Sequence, residues 1–210
     1  MAKKKKIDEA SAQEALKSSG PPRLKALYED EVAQKVSEKF NLSNPMQRPR
    51  LDKIVLNVNV GRYLDGGKLS PNIRDTIVET LTEITGQKPV LIKAKKSVSN
   101  FKVREGMDTA AMVTIRRDKM WHFLDRLINL AIPRIRDFRG LPDKSFDHGG
   151  SYSMGLIEQG AFPEIDMANV TFTHGMNINL VFRNSDPEKS KFMLEGLGFP
   201  FRRDEDGAKN

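Results

Sequence analysis

Alternating apolar and polar residues predict several β-strands in this chain, because successive strand side chains point to opposite faces of a sheet. The clearest strand covers residues 54–60, where the apolar face consists of Ile54, Leu56, Val58 and Val60. Its polar face consists of Lys53, Asn57 and Asn59. Similar patterns predict strands at 89–93, 110–117, 152–159 and 176–183. Asparagine is unfavourable in strands, so the polar face of 54–60 is expected to meet a polar partner.

Apolar residues recurring every three or four positions predict four helices. These begin at Arg23, at Ser70-Pro71, at Asp118-Lys119 and at Asp186-Pro187. Proline and glycine mark their boundaries: Pro71 suits a first turn, whereas Gly86, Pro133 and Gly198 suit helix ends.

The order of these elements predicts an α+β fold with a mainly antiparallel sheet. The helices, each with one apolar side, are expected to pack on one sheet face and leave the other face free. We expect a flexible, lysine-containing N-terminal extension at 1–22, a single domain at 23–203 and a polar tail at 204–210.

Positive charge is concentrated between residues 84 and 104. The segment ITGQKPVLIKAKKSVSNFKVR contains six basic residues and no acidic one, within a chain of formal net charge +7. Lysines on a projecting loop neutralise phosphates, and an exposed ring such as Phe101 can stack on a base. The alternative is a solvated loop whose lysines only keep the protein soluble.

Residues 134–153 form a long irregular segment, a feature typical of functional or partly ordered loops. Its basic residues are Arg134, Arg136, Arg139 and Lys144, and nearby aspartates offset most of their charge. We therefore expect this segment to act in recognition by shape.

Candidate chemistry is sparse. His122, His148 and His174 have no metal-binding spacing, and the chain has no phosphate-binding glycine loop and no nucleophile elbow. Asp143, Asp147 and His148 cluster in a glycine-rich loop that either binds a cation or is simply solvated. We therefore predict that the protein is not an enzyme and has no cofactor or bound metal.

Localisation follows from what the sequence lacks. It has no cysteine, which fits a reducing cytoplasm. Its apolar runs are too short to span a membrane. Ile7-Asp8-Glu9 follows Lys3–Lys6 where a signal peptide needs an apolar stretch. We expect a cytoplasmic protein without a membrane partner.

Several stretches, in this order, resemble the bacterial large-subunit ribosomal protein L5 family. They are MQRPRLDKIVLNVNVG (46–61), TGQKPVLIKAKKSVSNFKVREG (85–106), IPRIRDFRGLPDKSFDHGGSYSMG (132–155), FPEID (162–166) and GFPFRR (198–203). The resemblance covers the chain from about Leu24 to Arg203, and the ordered combination is highly specific.

This resemblance implies a structural protein of the large ribosomal subunit that binds 5S rRNA, together with large-subunit rRNA, and helps form the central protuberance. It also implies contact with the peptidyl-site tRNA and a bridge to small-subunit protein thirteen, among neighbouring ribosomal proteins. The implied 5S rRNA-binding residues are Lys53, Asn57, Asn59, Gly61, Gln87, Lys88, Thr114 and Arg116. The implied tRNA-facing residues are Lys93, Lys95, Lys96, Ser97, Asn100, Phe101, Lys102 and Arg104. The implied bridge residues are Arg134, Arg136, Arg139 and Lys144.

Three features depart from the family pattern. Asn59 stands where the family usually has glycine, and the turn 106–109 lacks the usual aromatic-proline pair. The first 22 residues have no usual counterpart in the family.

The sequence leaves two other functions open. One is a free-standing regulator that binds messenger or small RNA, and the other is a metal-dependent hydrolase that uses the loop from Asp143 to His148.

Overall fold

A five-stranded antiparallel sheet forms the centre of the protein. The computed structural model describes residues 21–65, 68–101, 103–136, 138–168, 170 and 172–202. The strands of this sheet are β1 (Arg50–Asn59), β4 (Val90–Lys93), β5 (Asp108–Ile115), β6 (Tyr152–Leu156) and β7 (Met176–Arg183). Their order across the sheet is β4-β5-β1-β7-β6. A separate two-stranded hairpin, which the sequence pattern did not predict, consists of β2 (Leu64–Asp65) and β3 (Lys68–Leu69).

Helices precede, separate and follow these strands. They are α1 (Arg23–Leu27), α2 (Ala33–Lys39), α3 (Pro71–Thr85), α4 (Arg117–Arg126) and α5 (Pro187–Gly196). A π-helical turn at Tyr28–Val32 joins α1 to α2, so the predicted first helix is one element with a wider middle turn. Another π-helical turn, Leu127–Ala131, continues α4 into a 3₁₀ turn at Ile132–Arg134 that contains Pro133.

Two helix boundaries test the sequence-based predictions. Gly86 follows α3 in the left-handed conformation (φ 62°), which confirms it as the residue that ends this helix. The predicted start of α4 at Asp118-Lys119, with Asp118 as the capping residue, is wrong, because the helix begins at Arg117 after the N-cap Arg116 and Asp118 lies in the first turn. There Asp118 pairs with Lys25 of α1, 3.2 Å away.

Alternation along β1 determines which side of the sheet becomes the core. Ile54, Leu56, Val58 and Val60 are fully buried, as are Ala111 of β5 and Ile178 of β7. Each buried aliphatic side chain contributes roughly 1.5–3 kcal/mol relative to exposure. Burying this face against the helices therefore sets the register of the central strands and turns their polar side outward.

The irregular segment after Pro133 is packed against the C-terminal residues. Leu141 forms a parallel bridge with Phe201, and its N–H donates to the carbonyl of Pro200 at 2.9 Å. Tyr152 donates its hydroxyl to the carbonyl of Pro142 at 2.8 Å, and its ring contacts Phe199 and Phe201 at 5.6 Å. Burial raises the pKa of the Tyr152 hydroxyl, and the nearby Asp143 carboxylate adds to this effect.

The predicted α+β class and mainly antiparallel sheet are confirmed. Most of the predicted N-terminal extension (1–20) and the predicted polar tail (204–210) lie outside the described residues, so the flexibility of the extension stays a prediction. Within the described part of the chain, the helices are too short or too polar to cross a lipid bilayer.

Candidate nucleic-acid interface

The side of the sheet opposite the core carries most of the predicted 5S rRNA-binding residues. The pairing of the strands places Asn57 of β1 beside Asn177 of β7 and Met112 of β5. The next outward position along β1, Val55, lies between Thr114 and Asn179. Amide and hydroxyl groups from three strands are thus brought together on one partly exposed surface, which we call the outer sheet face.

Asn57 is held at the centre of this face, and its Oδ1 is buried without a hydrogen-bond partner among the described residues. An amide oxygen that lacks a partner lowers stability, typically by about 1–3 kcal/mol. Asn57 therefore has unused hydrogen-bonding capacity on a surface where amide groups alternate with apolar side chains such as Met112 and Val55.

Asn59 lies at the end of β1 and organises the turn that follows. Its Oδ1 accepts a hydrogen bond from the N–H of Gly61 at 2.8 Å. Asparagine side chains stabilise turns in this way. Asn59, which stands where the family usually has glycine, therefore stabilises the turn through its side chain. Both Asn59 and Gly61 are exposed, but the Asn59 amide oxygen is already bonded to the Gly61 N–H.

Arg116 is placed at the opposite end of the outer sheet face, where it shares Asp52 with Arg183. Asp52 lies 3.5 Å from the guanidinium of Arg116 and 3.2 Å from that of Arg183. Both arginines are more than half exposed. The carboxylate lowers the positive charge that this end presents to solvent.

Gln87 and Lys88 are exposed, and Pro89 separates them from the start of β4. Because Val90 is the partner of Met112, these residues lie on the Thr114 side of the sheet. The hydroxyl of Thr85 donates to the carbonyl of Leu81 at 2.6 Å and accepts the N–H of Gln87 at 3.2 Å, which ties this turn to the end of α3. Lys53 is half-buried opposite Val181.

The basic loop, residues 94–107 between β4 and β5, projects from the sheet as an irregular hairpin. Ala94 donates to the carbonyl of Met107 at 2.8 Å, and Val98 and Val103 exchange hydrogen bonds of 2.8 and 3.2 Å. These bonds hold a 3₁₀ turn at Ser99–Phe101 as the tip of the loop. The Phe101 side chain there is 78% exposed.

The other predicted tRNA-facing residues surround this tip or its base. Lys93 ends β4, and Lys95 and Lys96 are exposed at the start of the loop. Ser97 accepts the N–H of Glu105 at its hydroxyl, 3.0 Å away, and Arg104 donates its N–H to the sulfur of Met107 at 2.8 Å. Asn100 is exposed at the tip, whereas Lys102 lies outside the described residues. The loop therefore combines exposed cations with an ordered aromatic tip.

The four predicted bridge residues do not form one group. Arg134 and Arg136 line a cavity of about 380 Å³ together with Ile157, Ala161 and Met167. Arg139 and Lys144 belong instead to the part of the segment that packs on the C-terminal residues. Lys144 follows Asp143, whose carboxylate pairs with Lys191 of α5 at 3.3 Å.

The sequence pattern did not single out the apolar residues at this cavity. Ile157 is 87% exposed directly after β6, and Met167 is 40% exposed. Isolated exposed apolar residues are common, but these two lie at one cavity beside Arg134 and Arg136. The alternation of β6, continued by one residue, places Ile157 outward and was the available signal.

The three histidines and the glycine-rich loop do not form a catalytic arrangement in the described parts of the chain. Asp147 accepts the N–H of Ser151 at 2.6 Å, and no cluster of three metal-ligating side chains occurs among the described residues. His174 is buried, and Gln159 accepts its backbone N–H at 2.6 Å. Burial lowers the pKa of His174, although the carbonyl of Gly175 opposes this effect.

Comparison with known proteins gives a consistent result. The sequence model of the family described as "Ribosomal protein L5" matches residues 44–104, and the model of the C-terminal part of the same ribosomal family matches residues 108–201. The chain is 49% identical to large ribosomal subunit protein uL5 of Corynebacterium urealyticum over 186 residues, which cover 89% of this chain and 94% of that protein.

Other relatives agree. The uL5 protein of Corynebacterium glutamicum strain R is 50% identical over 188 residues, 90% of this chain and 96% of that protein. The uL5 protein of Bdellovibrio bacteriovorus is 47% identical over 181 residues, 86% and 99% of the two chains.

An α+β protein with a polar outer sheet face, a basic loop and a match to these families belongs to the class of structural RNA-binding proteins of the ribosome. The chain is a member of the ribosomal protein L5 family. Its role is structural and not enzymatic, which excludes the hydrolase alternative. Membership also agrees with the expected place in the cytoplasmic ribosome of bacteria.

Proposed function

We propose that this protein binds 5S rRNA through its outer sheet face and helps form the central protuberance of the large subunit. The observation that carries the proposal is the alignment of amide and hydroxyl groups from β5, β1 and β7 on one partly exposed surface. The described residues assigned to the outer sheet face include no exposed aromatic ring. Recognition therefore uses the shape of the RNA and contacts to its backbone and sugars, not stacking on bases.

The contribution of charge to this surface is moderate. Lys53 and Lys88 supply positive charge, but Arg116 shares its carboxylate partner Asp52 with Arg183. A surface with few free cations depends on hydrogen bonds that form only with a matching RNA shape. This arrangement favours specificity for one folded RNA over general affinity for phosphates.

The basic loop is proposed to contact the peptidyl-site tRNA. Lys95 and Lys96 are exposed, and the hydrogen bonds between Val98 and Val103 hold Phe101 at the tip. Lysines placed on a projecting hairpin reach phosphates at a distance from the sheet, and an exposed ring packs against a ribose or base. The loop is thus suited to touch a second RNA without disturbing the first.

The bridge to small-subunit protein thirteen is proposed to use the cavity beside Arg134 and Arg136. Ile157 and Met167 give this surface an apolar centre, and the two arginines give it a basic rim. An apolar centre with a polar rim is typical of protein interfaces. Arg139 and Lys144, assigned to the bridge from the family resemblance, are proposed to contribute only at its edge.

The test compares binding of 5S rRNA with binding of an unrelated RNA of equal length over a salt series. A preference for 5S rRNA that persists as salt rises is expected, because shape-dependent contacts add to the electrostatic part of the free energy. Asn57→Ala should reduce this preference, whereas Gln34→Ala, an exposed residue on α2, should not. Equal affinity for both RNAs, lost together with salt, would contradict the proposal.

A further inference from the structure

A second cationic site lies at the end of the sheet away from the basic loop. A cleft of about 520 Å³ opens between the first helical segments, the start of β1 and α4. Its lining includes Lys25, Tyr28, Met46, Arg48, Arg50 and Trp121. The volume lies in the range of sites that hold small ligands or single nucleotides.

The strand geometry separates this cleft from the basic loop. Arg50 begins the ten-residue strand β1, and Asn59 ends it beside Ala110, close to the base of the loop. At about 3.3 Å per residue, the two ends of β1 are roughly 30 Å apart. The cleft therefore belongs neither to the loop nor to the central amides of the outer sheet face.

Two guanidinium groups in the cleft have unused charge. Neither Arg48 nor Arg50 pairs with a carboxylate within the described ranges of the chain, and the Nε of Arg48 is buried without a hydrogen-bond partner there. The side chain of Arg50 donates to the sulfur of Met46, at 3.7 Å. A buried, unpartnered guanidinium N–H lowers stability unless an acceptor arrives.

Two aromatic rings line the floor of the cleft. The charged residues other than Arg48 and Arg50 nearly cancel one another. The rings of Tyr28 and Trp121 lie 5.6 Å apart, and Tyr28 donates its hydroxyl to the carbonyl of Pro49 at 2.6 Å. Lys25 is neutralised by Asp118 at 3.2 Å, and Glu29 is the acidic residue of the lining. Burial raises the pKa of Tyr28, and Arg50 and Arg48 oppose this shift, which reflects their proximity to the hydroxyl.

We propose that this cleft binds an RNA strand, with a phosphate on Arg48 and Arg50 and the attached nucleoside over Met46 and Tyr28. Guanidinium groups present paired donors that match phosphate oxygens. The exposed Met46 side chain, 66% accessible, supplies an apolar surface for a sugar or base. An acidic peptide would use the arginines but would leave this apolar floor without a partner.

Trp121 makes the proposal directly testable, because it is the only tryptophan of the chain and it lines the cleft. Titration of the full chain with single-stranded hexaadenylate at low salt should change the tryptophan emission in a saturable way. The double variant Arg48→Gln with Arg50→Gln should raise the midpoint of this titration at least tenfold. It should also reduce the slope of log affinity against log salt by about 1.4, as expected for two lost phosphate contacts.

Two matched variants keep the test independent of folding and of the basic loop. Met46→Glu adds a negative charge at an exposed position and should also weaken the response without changing the thermal midpoint. Lys95→Ala with Lys96→Ala should leave the tryptophan response unchanged, because the loop lies at the other end of the sheet. Asn57→Ala, which tests 5S rRNA binding, should leave it unchanged as well.

Three results would overturn the proposal. The first is an emission change that is the same in the double arginine variant and in the unchanged protein. The second is the absence of any emission change with hexaadenylate. The third is an equal response to hexaglutamate, which would assign the cleft to an acidic protein partner instead of RNA.

Discussion

The carboxylate of Asp52 lies 3.2 Å from the guanidinium of Arg183, and it also reaches Arg116 on the other side of β1. One acidic residue thus restrains two cations at the edge of the outer sheet face. Arg183 is also the cross-strand partner of Arg50, so the carboxylate reduces repulsion between these like charges.

Replacement of Asp52 by asparagine should therefore lower the stability of the protein slightly and raise its affinity for RNA. We expect the free energy of unfolding to fall by no more than about 1 kcal/mol, since exposed ion pairs contribute little. General RNA affinity should rise at low salt because two guanidinium groups become available, and the salt dependence should steepen. Urea unfolding and filter binding over a salt series measure the two effects, and an unchanged salt dependence would show that neither arginine faces the RNA.

The basic loop should act separately from the sheet. Lys95→Ala combined with Lys96→Ala is expected to weaken tRNA binding at least several-fold, because two phosphate contacts are lost. Binding of 5S rRNA should change little. The control is Lys35→Ala on α2, an exposed lysine paired with Glu31 on the helical side. Equal loss of tRNA and 5S rRNA binding would contradict the proposed division.

The turn after β1 should depend on the side chain of Asn59. Asn59→Gly removes the acceptor for the Gly61 N–H and adds backbone freedom, so unfolding should become easier by about 1 kcal/mol. Asn59→Asp keeps an acceptor in place and should retain most of the stability, but its charge should weaken RNA binding. Thermal melts and RNA titrations of both variants separate the two roles, and equal stability in all three proteins would show that the turn does not need this bond.

Gly140 should tolerate no side chain. Its φ is 93°, and an added Cβ would lie 2.8 Å from the Cα of Arg202. Gly140→Ala is therefore expected to destabilise the protein by roughly 2–4 kcal/mol through strain and overpacking. Gly106 has a similar φ of 82° with open space around it, so Gly106→Ala measures the conformational cost alone. A similar loss of stability in both variants would mean that Arg202 moves freely out of the way.

The buried His174 should make stability depend on pH. Burial lowers its pKa in the folded protein, so below about pH 6.5 the unfolded chain binds a proton that the folded chain does not. The free energy of unfolding should therefore fall as pH drops from about 7.5 to about 5.5, by at most about 1.4 kcal/mol per pH unit from this group. His174→Gln should lose this part of the dependence in urea unfolding measured at both pH values. The same pH dependence in both proteins would assign it to other groups.

Local patterns in the chain were sufficient to predict the central strands, the main helices and the composition of the basic loop. Alternation in residues 54–60 and regular apolar spacing in the helices are local signals, and burial in the core enforces them. The same alternation indicated that Asn57 and Asn59 face away from the core. The ordered family stretches indicated the family itself.

Which of these side chains share a site, and which are already engaged, became known only from the folded chain. The pairing of Asp52 with Arg116 and Arg183, and the approach of Tyr28, Arg48 and Trp121 at one cleft, join segments that are far apart in the chain. Such contacts depend on how helices and strands pack, and no local periodicity encodes them. For this reason local sequence patterns predicted which side chains of the strands face outward, whereas tertiary packing determined which charged side chains pair with each other.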